Sequence, residues 1–495
     1  PADDVTPPPP PPPQTPGRIE GDFTGPPMVP IVVVGENLVV TGTVSGGATG
    51  PDARNLITIN TTGTVGGVVG DQGDDQIWLL GGTVLGDVAS GDGNDRIMLN
   101  GGSVAGTINA GNGDNAVNLL SGSAGAVQSG TGNDVVQLGG ATITGALNTG
   151  AGNDTIVLIA GSVGAVLAGA GDDTLNWNSA AAITPLVDMG SGDDVLNVNN
   201  AAINLTNVVL NGGTGSNTLN LNNAWSGSLF GAGTLSWQLI NVNGGTLFIG
   251  DGAITVGTLA VSGGGVLNGS NNLVVSGNLA IGAGSTLIAG NNTGTNRPVV
   301  RGNLANAGTV DLRSPTGVVA AGDILTIEGD YITLANSLRL DAVLGGSHAS
   351  DQVIVRGNLL GNGTVTVNNA GGTGALTTGD GIRLVQVDGS SAGGALNLAG
   401  GTVDVGAFRY GLFAGGIANP NDQDWYLRSR ARDIVMPTIS MARVSQDLGL
   451  TALGTLNERA GEQARPGGAD EASGWFTGAW LRAFGKSGPE TISSA

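Results

Sequence analysis

A nine-residue phrase returns eight times along this chain at a nearly constant interval. It reads DQGDDQIWL at 71, GDGNDRIML at 91, GNGDNAVNL at 111, GTGNDVVQL at 130, GAGNDTIVL at 150, GAGDDTLNW at 169, GSGDDVLNV at 190 and, in a worn copy, GTGSNTLNL at 213. Successive starts lie 20, 20, 19, 20, 19, 21 and 23 residues apart. A second mark keeps the same beat: Gly86, Gly106, Gly125, Gly145 and Gly164, with Pro185 in the sixth place. Two independent marks on one period define a repeat architecture, so the usual count of one domain per ~150 residues does not apply.

Apolar residues alternate within each unit, as in Ile77/Leu79, Ile97/Leu99, Val117/Leu119, Val136/Leu138 and Ile156/Leu158. Strict alternation in a short run between glycine-rich turns predicts a strand with one buried face. A second apolar run follows, for example SVAGTINA from Ser103, so each unit supplies two or three short strands. Only 3% of the residues are aromatic, which leaves a thin core of Val, Leu, Ile and Ala. The compact solution is an all-β parallel β-helix, a solenoid in which each unit makes one coil about 4.8 Å from the next. Equal phases then stack as internal ladders, and glycines allow corners with φ > 0. A wide open sheet would carry the same pattern but expose long edges, which coiling removes.

The acidic repeats are predicted to occupy residues 31–223, and the same solenoid to continue through 224–324, where Asn and Gly take over the turns. Residues 1–30 contain seven consecutive prolines and are predicted to be an extended, disordered spacer. The chain has no cysteine, one histidine and a formal charge of −21, and no Lys, Arg or His falls between Arg96 and Arg297. That balance excludes nucleic acid and anionic membrane surfaces as partners, because both need clustered cations. No apolar run is long enough for a transmembrane helix. The chain begins with Pro rather than Met, so an export signal is expected upstream of it.

Residues 324–430 carry a family resemblance. The stretch LTIEGDYITLANSLRLDAVLGGSHASDQVIVRGNLLGNGTVTVNN, then GDGIRLVQVDGSSAGGALNLAGGTVDVGAFRYGLF, then DQDWYLRSR, closely resembles the autochaperone end of pertactin-like autotransporter passengers of type V secretion. Beyond it, ALGTLNERAGEQ and GAWLRAFGKSG resemble that family's linker helix and the first strand of its outer-membrane barrel. The resemblance implies a right-handed β-helix displayed at a Gram-negative cell surface or secreted from it. It implies an autochaperone cap over 325–430 that templates the coils, a linker helix and loop over 431–473, and a truncated barrel start over 474–495. Membrane anchoring then falls to a barrel beyond Ala495. The residues agree with such a cap, since 325–430 holds all three tyrosines, Tyr331, Tyr410 and Tyr426, with Trp425, Phe408 and Phe413. A stable terminal coil would nucleate the stack.

The Gly-x-Gly-Asn-Asp turn also resembles half of the calcium-binding nonapeptide of RTX toxins. On that resemblance Asp75, Asp95, Asp114, Asp134, Asp154, Asp173 and Asp194 form a candidate Ca²⁺ ladder, with one motif per coil where RTX repeats recur every nine residues. Stacked carboxylates about 5 Å apart repel by roughly 1 kcal/mol per pair in water, and a divalent cation would relieve them. The alternative is that they are turn formers with charges dissolved in solvent. No enzyme is expected. Adjacent pairs such as Asp172/Asp173 and Asp193/Asp194 point to opposite sides and make poor acid/base couples, and the lone His348 sits in the SHASD loop. The expected function is adhesion or self-association, with a host glycan, a host protein or another copy as partner. The alternatives are a calcium-stabilised spacer and a polysaccharide-degrading enzyme.

Overall fold

The computed structural model describes residues 54–432, apart from 71, 179–180, 230–235, 250–251, 316–319 and 346–348. Short strand segments at Gly17–Ile19, Ile31–Val32, Asn37–Val40, Thr43–Val44 and Ala48–Thr49, and residues 445–446, are also described. The linker helix (apart from residues 431–432 and 445–446), the barrel strand, His348 and most of the proline-rich lead lie outside the described residues.

Each coil follows the alternation in its sequence. In the coil from Gly91, Ile97 and Leu99 point inward from the first strand, Val104 from the second and Ile108 from the third, and all are at most 2% exposed. Parallel pairing sets Ile97 on Ile77 and Val117 on Ile97, then Val136, Ile156, Leu175, Leu196 and Leu219 in turn. The same column continues through Ile240, Leu259, Leu279 and Leu304 to Tyr331 and Leu359. One uninterrupted buried ladder therefore joins the acidic repeats, the looser coils and the autochaperone-like segment. Stacking equal phases is what makes a thin aliphatic core sufficient, since every side chain is covered by its counterparts above and below.

Where the repeat lengthens, the core departs from the aliphatic expectation. Trp177, Trp225 and Trp237 are buried there, and each indole N–H donates to a carbonyl, at Ala181 (3.1 Å), Ile203 (2.8 Å) and Leu210 (3.0 Å). Their bulk fills the wider coils, and the carbonyl partners remove the cost of burying the N–H.

The glycines of the two marks serve different ends. Those of the acidic turn adopt positive φ, for instance Gly150 at 104° and Gly152 at 133°. Those of the second mark, such as Gly145, keep ordinary φ and are there because a Cβ would lie 2.8 Å from the Gly125 carbonyl oxygen of the coil below. Pro185, which does carry a Cβ, stands at this mark in a coil that sets two residues, 184 and 185, opposite the single Gly164 of the coil before.

Among the described residues, antiparallel strand pairing is confined to the C-terminal end, apart from a single antiparallel bridge between Ala342 and Ser350. Ile382–Val387 pairs with Trp425–Ala431, which pairs in turn with Phe408–Ala414, and that strand pairs with Val403–Val405. The reversal closes the stack: Trp425 is 2% exposed, and the buried Tyr410 hydroxyl donates to the Ala375 carbonyl and accepts from the Ala375 N–H, both at 2.9 Å.

Candidate functional site

Each acidic turn ends in two adjacent Asx residues, and the structure sends them opposite ways. Counted back from the inward Ile97, parity places Asp95 inside and Asn94 outside. The outward residues form a rail exposed to solvent whose side chains accept from the next coil. Asp74 accepts from the Asn94 N–H (2.9 Å), Asn94 from Asp114 (2.8 Å), Asp114 from Asn133 (2.7 Å) and Asn153 from Asp172 (2.8 Å). The inward residues form a second rail whose side chains accept from the preceding coil. Asp75 accepts from the Asn55 N–H (2.7 Å), Asp95 from Asp75 (2.7 Å), Asp134 from Asn115 (2.8 Å), Asp154 from Asp134 (2.8 Å), Asp173 from Asp154 (2.8 Å) and Asp194 from Asp173 (2.9 Å).

Six of the seven candidate calcium residues, Asp75, Asp95, Asp134, Asp154, Asp173 and Asp194, thus come together on the inner rail. Asp114 does not: it belongs to the outer rail, and Asn115 takes the inner place in that coil. The solvated-charge alternative is corrected for the inner six, which are at most 1% exposed. The paired Asp172 and Asp173 point apart, the first solvated and the second buried, each accepting from a backbone N–H. The pair presents no shared face to a substrate.

In five of the inner carboxylates only one oxygen is engaged in this way. Oδ2 of Asp95, Asp134, Asp154, Asp173 and Asp194 is buried with no hydrogen-bond partner. Asn115 reveals what that atom faces. Its Oδ1 accepts from the Asp95 N–H like an aspartate oxygen, and its Nδ2 donates to the carbonyls of Gly113 (2.9 Å), Gly111 (3.3 Å) and Ser129 (3.4 Å). In the Asn115 coil the second position of the rail therefore looks onto acceptors, where an ionised carboxylate oxygen is poorly placed; beside Asp95 and Asp154 stand the Ser90 and Thr149 hydroxyls, which donate to the Ala110 (2.8 Å) and Ala168 (2.7 Å) carbonyls. Burial, reinforced by neighbouring carboxylates, pushes the Asp134 and Asp173 carboxyls up to about 7 and Asp194 up to about 6, and burial raises Asp95 and Asp154 as well.

Calcium takes six to eight oxygens, typically with several carboxylates. At Asp95, Asp134, Asp154, Asp173 and Asp194 the inner rail offers one carboxylate oxygen per coil beside backbone carbonyls, and none at Asn115. Among the described residues no three His, Cys, Asp or Glu side chains gather as a metal cluster. This donor set does not make a calcium cage.

The rail resumes in the C-terminal coils, which charge patterning in the repeats did not reveal. Asn296 accepts from the Asn272 N–H (2.7 Å), Asp323 from Asn296 (2.7 Å), and Asp351 from Asp323 (3.0 Å) and Gly322 (2.8 Å). Here both carboxylate oxygens are satisfied: Asp351 Oδ2 accepts from the Asp341 N–H (2.7 Å) and Asp323 Oδ2 from Asn291 (2.8 Å). Burial still pushes Asp351 up to about 7. The sequence signal was an Asp immediately before an alternating strand, as in Asp323-Ile324-Leu325 and Asp351-Gln352-Val353.

On the outside of the first strands, two rows of asparagine run along the stack. Asn197 donates to Asn176 (3.0 Å), Asn220 to Asn197 (2.8 Å) and Asn241 to Asn220 (2.8 Å). Beside them Asn199 donates to Asn178 (2.8 Å), Asn222 to Asn199 (2.9 Å), and Asn243 to Asn222 (2.7 Å).

A long parallel solenoid closed by an antiparallel C-terminal cap is the class that these features define. Residues 300–412 match the family model described as Autochaperone Domain Type 1. The chain is similar to the uncharacterized protein YuaQ of Escherichia coli (strain K12), with 33% identity over 207 residues, 40% of this chain and 14% of that protein. It is similar to the adhesin BmaC autotransporter of Brucella suis biovar 1 (37% over 122 residues, 23% of this chain and 4% of that protein). The autotransporter adhesin AIDA-I of Escherichia coli is 32% identical over 111 residues, 22% of this chain and 8% of that protein. The chain thus spans well under two thirds of each relative. It is a β-solenoid that carries an autochaperone domain and is similar to autotransporters, a likeness that indicates the outer membrane and cell surface as its location.

Proposed function

We propose that the passenger is a non-catalytic adhesive surface whose ligand is a second copy of itself on a neighbouring cell. The observation that carries this reading is the double asparagine row. A primary amide donates and accepts in one plane, so a periodic row of amides is complementary to another row of the same spacing. No cation interrupts the face between Arg96 and Arg297, and the acidic rail lies at the turns rather than on these strands. The adhesin names of BmaC and AIDA-I support the same class of work. The autochaperone segment, in this reading, supplies the first stable coils on which the column from Leu304 back toward Ile57 assembles.

The test is cell aggregation with the chain displayed on an otherwise non-aggregating strain. Wild type is expected to settle the culture, and Asn220→Arg with Asn222→Arg to abolish settling while Tm falls by no more than about 5 °C, since four half-buried amide bonds are lost. Binding on a glycan array without aggregation would move the ligand to a host glycan. Release of oligosaccharides from a polysaccharide panel would replace the reading with an enzymatic one.

A further inference from the structure

The inner rail holds a set of buried carboxyl groups that adhesion does not use. Along five coils, an aspartate oxygen that would carry negative charge is shut away from water without a partner. Where the rail carries Asn115 instead, a neutral N–H donor fills the same place and bonds backbone carbonyls. Asn296 repeats this, its Nδ2 donating to the carbonyls of Gly269 (2.8 Å) and Ala289 (2.6 Å). At Asn115 and Asn296 the position receives a donor, whereas Asn217, which accepts from the Asp194 N–H, has a buried Nδ2 with no acceptor; in the coils that resemble Asn115, the aspartate that most resembles asparagine is the protonated one.

We infer that the inner rail is a proton-binding ladder: in the folded passenger Asp134, Asp154 and Asp173 are held as neutral acids, with the hydroxyl on Oδ2 donating to the turn carbonyls. Oδ1 meanwhile accepts the N–H of the preceding coil, so the neutral acid satisfies both ends. The ionic surroundings favour the same state. The charges acting on these groups are carboxylates throughout: Asp74 and Asp92 on Asp95, Asp114 and Asp154 on Asp134, Asp154, Asp172 and Asp194 on Asp173, and Asp172, Asp188 and Asp193 on Asp194. Arg54 is exposed and paired with Asp74, and Arg96 is exposed on the outer side of its strand.

The consequence is a passenger that external acidity hardens. The folded chain binds protons that the unfolded chain, with ordinary aspartates near 3.9, releases. The contribution is complete below about pH 4 and is lost as pH rises through 6 to 7, the range to which burial pushes Asp194, Asp134 and Asp173. This inference is independent of what the outer surface binds.

Thermal melts of the full chain between pH 5 and pH 8 test it. Wild-type Tm is expected to fall by roughly 5 °C or more over that range. Asp134→Asn and Asp173→Asn should raise Tm at pH 8 and flatten the slope, because the amide supplies permanently what the proton supplies only in acid. Asp114→Asn removes an equal charge from the outer rail and should flatten the slope far less than Asp134→Asn, because burial rather than the Asp114 charge is the main cause of the Asp134 shift. Asp351→Asn should lower Tm at both pH values, since both of its oxygens accept N–H groups. An infrared carbonyl band of protonated carboxylic acid at pH 6 in wild type, weakened in Asp134→Asn, gives a readout that does not depend on variant stability. The proposal is overturned if Asp134→Asn lowers Tm at pH 8, if the acid band is missing at pH 6, or if millimolar Ca²⁺ raises the Tm of wild type but not of Asp134→Asn. The last result would make calcium the counter-charge.

Discussion

Replacing Trp425 with alanine is expected to cost the passenger about 3–5 kcal/mol, close to the largest effect a single side chain gives. Trp425 is 2% exposed and stands opposite Val385 on the antiparallel strand that closes the last coil. Its indole N–H donates to Ser391 Oγ at 2.9 Å, so truncation leaves both a cavity and a half-buried hydroxyl without its donor. The damage should exceed that of an equal cavity in mid-stack. In a solenoid each coil is stabilised by its neighbours, and a terminal coil has only one, so opening the cap exposes the next aliphatic layer to water. Denaturant unfolding checks the magnitude, and limited proteolysis should show cleavage starting within 382–431. Trp425→Phe, which keeps most of the volume and loses the N–H, should cost about 1 kcal/mol. A loss below 1 kcal/mol for the alanine variant would mean that the cap does not close the stack.

The cap was legible because its aromatic residues stand out against a chain that is 3% aromatic. The column was legible too, since the alternation at Ile97/Leu99 or Val136/Leu138 has one satisfactory solution, an inward ladder. What the repeat could not show was how far the column runs. After residue 223 the Asx mark disappears, and coils vary in length as Trp225 and Trp237 take up extra space. Yet Leu219, Ile240, Leu259 and Leu279 stay in register, because strand pairing and burial fix the phase even when turn length does not.

The site was legible in position, apart from Asp114, and its chemistry was not. Selecting carboxylates by charge picks Asp114, whereas parity counted back from Val117 picks Asn115 and leaves Asp114 outside. Parity was available from the sequence, and it also predicts that one Asx of each pair must be buried. Its consequence was harder to foresee. A row of aspartates in an acidic chain reads as solvated or metal-bound, and only the contacts of Asn115 Nδ2 show that the second rail position in that coil looks onto carbonyls. The asparagine that interrupts the charge pattern is the residue that explains it.

Gly150→Ala is expected to destabilise the repeats by about 3 kcal/mol or more, against about 1 kcal/mol for Gly264→Ala. The comparison separates two reasons for a glycine. Both have left-handed φ, 104° at Gly150 and 78° at Gly264, so both substitutions carry the conformational penalty of an L side chain there. At Gly264 a Cβ would meet nothing within 4 Å, and the penalty stands alone. At Gly150 the Cβ would lie 1.9 Å from the Gly130 carbonyl oxygen and 3.2 Å from its Cα. That oxygen cannot retreat, because Gly130, Gly150 and Gly169 stack in register along the edge that carries both Asx rails. Relief requires the coils to part, which breaks the rail bonds Asp134 N–H to Asp154 and Asp154 N–H to Asp173. Hydrogen exchange should therefore show amides of residues 130–175 losing protection in Gly150→Ala while those of the C-terminal coils keep theirs. Equal losses for the two glycine variants would show that backbone strain alone, and not the close stacking of turns, accounts for the glycines of the repeat.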